Sequence, residues 1–419
     1  MNTRTFTLFV ISALWLIACQ SRQTGIPVVD IDNPAGSVDL KISDLLDNIT
    51  IVPLETNDEL LLSTEGGTSF EVTNRYILVR TREKLLQFDR QGNYMRTLAY
   101  RGNGPNEFNM IMTTLIDEKR ELLYYNDSRM SASDASVACI DLNNGRFLEF
   151  HNPGLSPTSI REIDAEGNIY GRNTPPTRVE VSASGSLSLI SPTEKVPDTL
   201  VLAYKYNRTD NSFTHFVSNR SFVADQRSTQ LFRQGDHVSF LQLSYSDTLY
   251  RLEGSNMIPQ YVIQLRNQMT DMQKGGVTAS FRASGRGSFI ITKSEAKMTL
   301  SADRITVNSN TLAYLFLDRA GVIKSIKSFT IDPVALTVDM NDFLKPRDQR
   351  STVIPISSPL PRVSGSWGFY AIEALDMVEL IDNALKGNSL STNQRKALEE
   401  VAAKINDDSN PVLIIGKIR

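Results

Sequence analysis

The residues with the most specific chemistry stand at the start of the chain, in Leu16-Ile17-Ala18-Cys19. A small residue before a cysteine at the end of a short apolar run is a lipobox pattern. Ala18 suits the peptidase pocket, and the Cys19 thiol takes a diacylglycerol before cleavage. Acyl chains at roughly 0.8 kcal/mol per buried CH₂ then hold the protein at a membrane. Three further places carry side chains that could meet a ligand. Arg101, Asn103 and Glu107 flank the glycines of Gly102-Asn103-Gly104-Pro105-Asn106-Glu107-Phe108, whose backbone N–H groups could approach an anion or a hydroxyl-rich molecule. The competing reading is an inter-blade turn in which Glu107 bonds to backbone or pairs with Arg101. Arg282 and Arg286 lie in Phe281-Arg282-Ala283-Ser284-Gly285-Arg286-Gly287, read as a small basic loop that either contacts acidic groups or is simply solvated. Trp367, with Phe369 and Tyr370, could stack on a sugar ring or fill the core between sheets.

Several chemistries lack their residues. His151, His215 and His237 are the only histidines, and none forms a ligand pair of H-x-x-x-H type, so no metal is expected. A Gly-x-Ser-x-Gly elbow, a Walker loop and a dinucleotide fingerprint are missing. Ser364-Gly365-Ser366-Trp367-Gly368 has the wrong order for the elbow. No cofactor is therefore expected. Net charge is −3 without a basic stripe, which argues against a nucleic-acid partner. The 47 acidic residues could still assemble a carboxylate pair of the glycosidase kind, but sequence does not choose the pair. Cys139 sits in a strand-like run and would be left without a disulfide partner once Cys19 is acylated. It reads as a buried thiol.

The elements that must position these groups are mostly strands. Arg4 and the apolar run Phe6–Ile17 form a signal peptide over residues 1–18, too short to span a bilayer. Residues 19–39 read as the acylated N-terminus and a polar tether, and 40–419 as the folded body. There, Tyr76–Arg80, Lys84–Asp89, a turn at Arg90–Asn93 and Tyr94–Leu98 form a meander. Asp89 followed by Gly92 suits the tight turn, because Asp bonds its own backbone two residues on and Gly tolerates positive φ. The unit recurs in weaker form at Leu122–Asp127 with Ala138–Asp141, at Arg161–Tyr170, at Val238–Leu252 and at Leu312–Ile326. A repeat near 50 residues on an all-β chain points to radially arranged blades. Two helices are expected near the C-terminus. One carries Leu375, Val378, Ile381 and Leu385 on one face; the other is capped by Ser391 and Gln394. The terminal run Val412–Ile418 needs a partner, and Ile49–Leu54 is the natural one for closing a ring.

These motifs carry a resemblance. Ile42–Asp47 running into Ile51–Thr56, the Gly102–Phe108 loop, Ser246–Tyr250 followed by Pro259–Ile263, and Asn410–Leu413 together resemble the six-bladed β-propeller lipoproteins of Bacteroidota, an NHL-like family mostly without assigned activity. The resemblance implies an all-β, six-bladed β-propeller with short C-terminal helices, anchored through Cys19. It implies little about function, because fold does not fix activity. The sequence thus leads to a binding or scaffold propeller of the cell envelope, serving nutrient uptake or envelope assembly. Its expected place is the outer membrane, with the periplasmic face favoured because no acidic cluster follows Cys19. Expected partners are the membrane itself and other envelope proteins or a glycan or peptide ligand. The alternative is a glycan hydrolase or lyase working with carboxylates in the propeller funnel.

Overall fold

The computed structural model describes residues 25–57, 60–64, 67–104, 106–127, 137–148, 160–172, 178–181, 187–190, 200–218, 229–243, 247–269, 275–285, 287–301, 304–350, 356, 358, 360–387 and 390–419. The described residues form six blades of antiparallel strands around a common axis, two of them extended by a parallel edge strand, and a separate two-stranded hairpin, Arg178–Val181 with Leu187–Ile190. Blade 1 runs outward through Ser69–Val72, Tyr76–Arg80, Lys84–Asp89 and Tyr94–Tyr100. Blades 2 and 3 start with the inner strands Ile111–Asp117 and Ile160–Ile163, and blades 4 and 5 with Thr229–Gln234 and Gly276–Ala283. Blade 6 orders Arg362–Ser364, Trp367–Ile372, Val412–Ile418 and Leu46–Pro53. Inner strands of successive blades lie against one another, which leaves them lining the axis.

The core is divided among the blade interfaces. Ile77, Val79, Leu86 and Phe88 of blade 1 pack against Phe369, Leu413 and Ile415 of blade 6. On the opposite face of the same sheet, Tyr76, Leu78 and Leu85 pack against Ile116, Leu123, Tyr125 and Ile140 of blade 2. The second strand of blade 1 is therefore buried on both faces, and Tyr76-Ile77-Leu78-Val79 is apolar throughout instead of alternating. Similar clusters join blades 2 and 3, 3 and 4, 4 and 5, and 5 and 6. Cys139 lies in the cluster between blades 2 and 3, where burial pushes its thiol up to about 12. An inert thiol follows.

The Asp turns repeat as read from sequence. Asp89 Oδ1 accepts the N–H groups of Gln91 and Asn93, and Asp318 Oδ1 accepts those of Ala320 and Val322. Asp141 Oδ1 accepts the N–H of Asn143. All three stand between the third and fourth strands of their blades, whereas the same turn at Asp164, which accepts the N–H groups of Glu166 and Asn168, follows the inner strand of blade 3. The inner strands of the other blades were the part the repeat missed.

The two ends of the folded body meet in blade 6, where Val412 pairs with Pro53, Leu413 with Val52 and Ile414 with Ile51, antiparallel. The expected closure is the observed one. Residues placed by sequence in the tether depart from that reading. Val28–Asp30 adds as a parallel edge strand to blade 4, and Ser37–Lys41 does the same on blade 5. Val29 and Ile31 are buried there against Leu241 and Leu249. Apolar residues at alternate positions found open sheet edges, and the polar composition around them hid the signal. Consecutive pieces of the N-terminal segment thus stitch blades 4, 5 and 6 from outside.

The C-terminal helices, Ala374–Lys386 and Thr392–Ala402, sit between the second and third strands of blade 6. Ser391 and Gln394 form the expected capping box. The first helix is rotated from its expected face: Ala374, Met377, Ile381 and Ala384 are buried, while Leu375 is exposed. No described helix is long and apolar enough to cross a membrane.

Candidate functional site

The inner strands bring side chains from all six blades to one cavity of about 280 Å³ on the axis. It lies toward the ends where these strands terminate. Glu71 comes from blade 1, Thr114 from blade 2, Arg161 and Glu162 from blade 3, Arg233 from blade 4, Arg282 from blade 5 and Ser364 from blade 6. Phe232, Phe281 and Val363 supply apolar wall. Blade 3 contributes two consecutive residues because its register shifts between Ile160 and Glu162, making Arg161 the extra residue of a bulge.

Glu71 Oε1 accepts a hydrogen bond of 2.8 Å from Thr114 Oγ1, and Ser364 also bonds the carboxyl. Burial raises the Glu71 carboxyl above its ordinary range, against the pull of Arg80 and Arg362. Glu162 accepts from the N–H of Ile163 at 3.0 Å and from the N–H of Arg233 at 3.0 Å. Burial pushes its carboxyl up to about 7; the Arg233 charge and the two N–H bonds oppose that push, and Glu71 adds to it by repulsion. Arg282 sends Nη1 to the carbonyl of Pro361 at 2.8 Å, and burial lowers its guanidinium from the ordinary value. Arg282 keeps exposed surface and lines the cavity, with Tyr370, Tyr314 and Arg362 acting on its charge.

One end of the channel is braced across the axis. Glu118, in the turn after the inner strand of blade 2, pairs with Arg233 of blade 4 at 3.3 Å and accepts from Ser366 Oγ of blade 6 at 2.6 Å. Blades 2, 4 and 6 are alternate members of the ring, so a carboxylate that reaches two of them lies near its centre. Gly365, at φ +54°, makes room: a Cβ there would stand 2.7 Å from Glu118 Cδ. Ser364-Gly365-Ser366 is thus a hairpin turn beside the cavity, with Ser364 Oγ accepting the N–H of Val72.

The residues singled out from sequence are dispersed. Arg101 pairs with Glu83 at 3.1 Å on the surface, and Asn103 is exposed. Glu107 folds back so that Oε2 accepts the N–H of Gly104 at 2.5 Å. The loop closes where Phe108 donates its N–H to Tyr100 O and accepts from Gly102, and it leads into the inner strand of blade 2. The backbone alternative for Glu107 describes this geometry; a pair with Arg101 does not. Arg282 corrects its expectation most sharply. Phe281–Ala283 ends an inner strand and is not a loop, and Arg282 enters the axial cavity. Strand pairing with Ile290 and Ile291 overrode the Gly and Ser that follow. Arg286 and Cys19 lie outside the described residues. Trp367 has one face covered by the Arg90 guanidinium, 4.1 Å from the ring centre, and donates Nε1–H to Asn74 at 3.3 Å. It packs with the core between blades 6 and 1.

His215 stacks on Phe213 in the outer strand of blade 3, and His237 opens the second strand of blade 4; His151 lies outside the described residues. Among the described residues no group of three or more His, Cys, Asp or Glu could hold a metal ion. Glu71, Arg161, Glu162 and Arg233 were missed as a set. Their one sequence signal is a charged residue near the end of a short apolar strand, which surface strands share.

Six blades, each with a four-stranded antiparallel core, a closure made from both chain ends and a charged axial cavity define a six-bladed β-propeller. The chain belongs to the family of DUF4934, a domain of unknown function, whose model matches residues 26–417. No curated protein matches it. Among solved structures it is similar to an exported protein of Bacteroides fragilis, at 13% identity over 94% of this chain and 100% of that one, with a TM-score of 0.54. It also matches a DUF4221-family protein of Bacteroides vulgatus, at 8% identity over 89% and 97% of the two chains, with a TM-score of 0.44. At such identity the first match shows the fold alone, and the second adds no argument.

Proposed function

We propose that this propeller is a lipid-anchored envelope protein that binds a small polar ligand in its axial cavity, in the service of nutrient uptake or envelope assembly. One observation carries the binding role: blades 1, 3, 4 and 5 turn Glu71, Arg161, Glu162, Arg233 and Arg282 into the same space. Buried charges are costly unless used or paired, and perturbed carboxyls gathered in a cavity mark functional sites. A volume of about 280 Å³ is at the small end for ligand pockets and suits one ring or a short chain. The anchor rests on Cys19 and its lipobox, and its place is the periplasmic face of the outer membrane. The test is a thermal-shift and calorimetric screen of the purified protein against small sugars, sugar acids and short peptides. Saturable binding that Glu162→Gln or Arg282→Gln changes supports the role; binding indifferent to both overturns it. Palmitate labelling that Cys19→Ala abolishes supports the anchor, and absence of label in the unaltered protein removes it.

A second reading has its own observation. Glu162 and Glu71 share the cavity in different environments, and a carboxyl raised to about 7 suits general acid–base work. A glycan hydrolase or lyase would use that pair. Turnover of an oligosaccharide, lost in both Glu71→Gln and Glu162→Gln, would select this reading over simple binding.

A further inference from the structure

We infer that the axial cavity is built for a sugar acid: a single ring or short chain bearing one carboxylate and several hydroxyls. The inference rests on the binding reading above and names its ligand class. Three guanidinium groups, those of Arg161, Arg233 and Arg282, line the cavity. Glu118 already occupies Arg233. Arg282 lines the cavity and donates Nη1 to the Pro361 carbonyl, a bond that uses one of the five N–H donors of a guanidinium. Guanidinium forks match carboxylates in two-point geometry. The hydroxyls of such a ligand find acceptors in the Glu71 and Glu162 carboxyls and exchangeable partners in Thr114 and Ser364. Phe232 and Phe281 offer apolar surface to the C–H face of a ring.

Charge balance limits the ligand to a monoanion. Glu71 and Glu162 share the cavity lining with Arg161, Arg233 and Arg282, Glu118 pairs with Arg233 beside it, and Arg80 and Arg362 act on the Glu71 charge. The lining itself holds two carboxyls, Glu71 and Glu162, against three guanidinium groups, so with both ionised it carries one positive charge, which a single carboxylate cancels. Glu162 lines the cavity together with Arg161 of its own strand, Arg233 of blade 4, Glu71 of blade 1 and Arg282 of blade 5; of these, Arg233 favours its charge and Glu71 opposes it. Binding of a monoanion beside Glu162 should therefore take up a proton.

Isothermal titration of the purified full-length protein with glucuronate and galacturonate, against glucose, galactose and glucose 6-phosphate, tests this. The uronates should bind about ten- to a hundredfold tighter than the neutral sugars, the worth of one charge-assisted hydrogen-bond pair. Arg282→Gln should remove that preference and leave the weak binding of neutral sugars. Arg161→Gln is the second variant, with circular dichroism confirming that each is folded. Uronate affinity should fall as pH rises from about 5.5 to about 8.5 in the unaltered protein and fall less in Glu162→Gln, because the uronate carboxylate is ionised throughout while Glu162, raised to about 7, gives up its proton in that range. Neutral sugars binding as tightly as uronates, or the phosphorylated sugar binding best, would overturn the sugar-acid assignment and leave the binding role standing. Absence of binding by all five compounds to folded protein would overturn the assignment together with the cavity reading behind it.

Discussion

Glu118 of blade 2 and Arg233 of blade 4 meet at 3.3 Å near the propeller axis, their side chains 7% and 13% exposed. Ser366 of blade 6 completes the contact. Three alternate blades are tied at one point. Removing one member of a buried pair leaves a charge without compensation, which costs about 3 kcal/mol or more. Glu118→Ala should lose that much in urea unfolding. Glu118→Gln, which keeps an acceptor for Ser366, should lose less. A loss below about 0.5 kcal/mol would mean that water screens the pair as it does on a surface.

Ring closure predicts a second outcome. Leu413 is fully buried between blades 6 and 1, in the strand that joins the two ends of the folded body. Leu413→Ala should cost about 2–5 kcal/mol, the range for a buried leucine truncated in a packed core. Deletion of residues 411–419 should lower the melting temperature markedly, and an unchanged melting curve would exclude closure through this strand.

Asn410 supplies a third. Its side chain is 1% exposed and donates Nδ2–H to the carbonyls of Glu55 and Leu60, while Oδ1 accepts the N–H of Leu62 at 2.7 Å. Those groups belong to the chain leaving the N-terminal strand of blade 6. Asn410→Ala would leave buried backbone groups without partners, at about 1–3 kcal/mol each where water does not enter. Asn410→Asp should be comparably damaging, because it loses both donors. Thermal melting checks both.

Stability should also report Glu162. Its carboxyl lies at the ordinary value of 4.5 when unfolded and is raised to about 7 when folded. Between those values the folded state holds more protons than the unfolded one, so stability falls as pH rises through that window and is level above it. The difference between about pH 5 and about pH 8 should be about 1–3 kcal/mol in the unaltered protein. Glu162→Gln should remove that share of the pH dependence in parallel unfolding curves.

Glu107 makes a prediction about the loop that the sequence brought forward first. A Cβ on Gly102 would stand 2.0 Å from Glu107 Oε2, so the glycine and the folded-back carboxylate require each other. Glu107→Ala should cost about 1 kcal/mol of stability with ligand binding unchanged, as for the loss of a single cap-like hydrogen bond. Glu107→Gln, which keeps an acceptor for Gly104, should cost less. A specific binding defect without loss of stability would reassign the loop to ligand contact.

Local chemistry made much of the architecture legible. Asp89, Asp141 and Asp318 each turn the chain between outer strands through bonds to backbone a few residues on, so a short peptide contains the whole signal. The apolar run Val412–Ile415 could only be a buried strand, and Ile49–Leu54 was its available partner. The capping box at Ser391 and Gln394 is likewise local. Where only a sheet edge fixed the outcome, the reading failed. Val28–Asp30 is strand because blade 4 leaves an open edge beside Val262 and Ile263, far away in sequence.

What the sequence by itself determined, then, is the strand-and-turn grammar and the meeting of the chain ends. The axial site was decided by tertiary structure alone. Glu71, Glu162, Arg233 and Arg282 are separated by dozens of residues and sit on strands whose side chains alternate between two faces. Which face meets the axis depends on the order of strands within each blade and, at Arg161, on a bulge in one register. Charge in a strand is cheap when it faces water and costly when it faces a neighbouring blade. Only the closed ring, by placing those residues around a shared cavity, makes their cost and their chemistry visible.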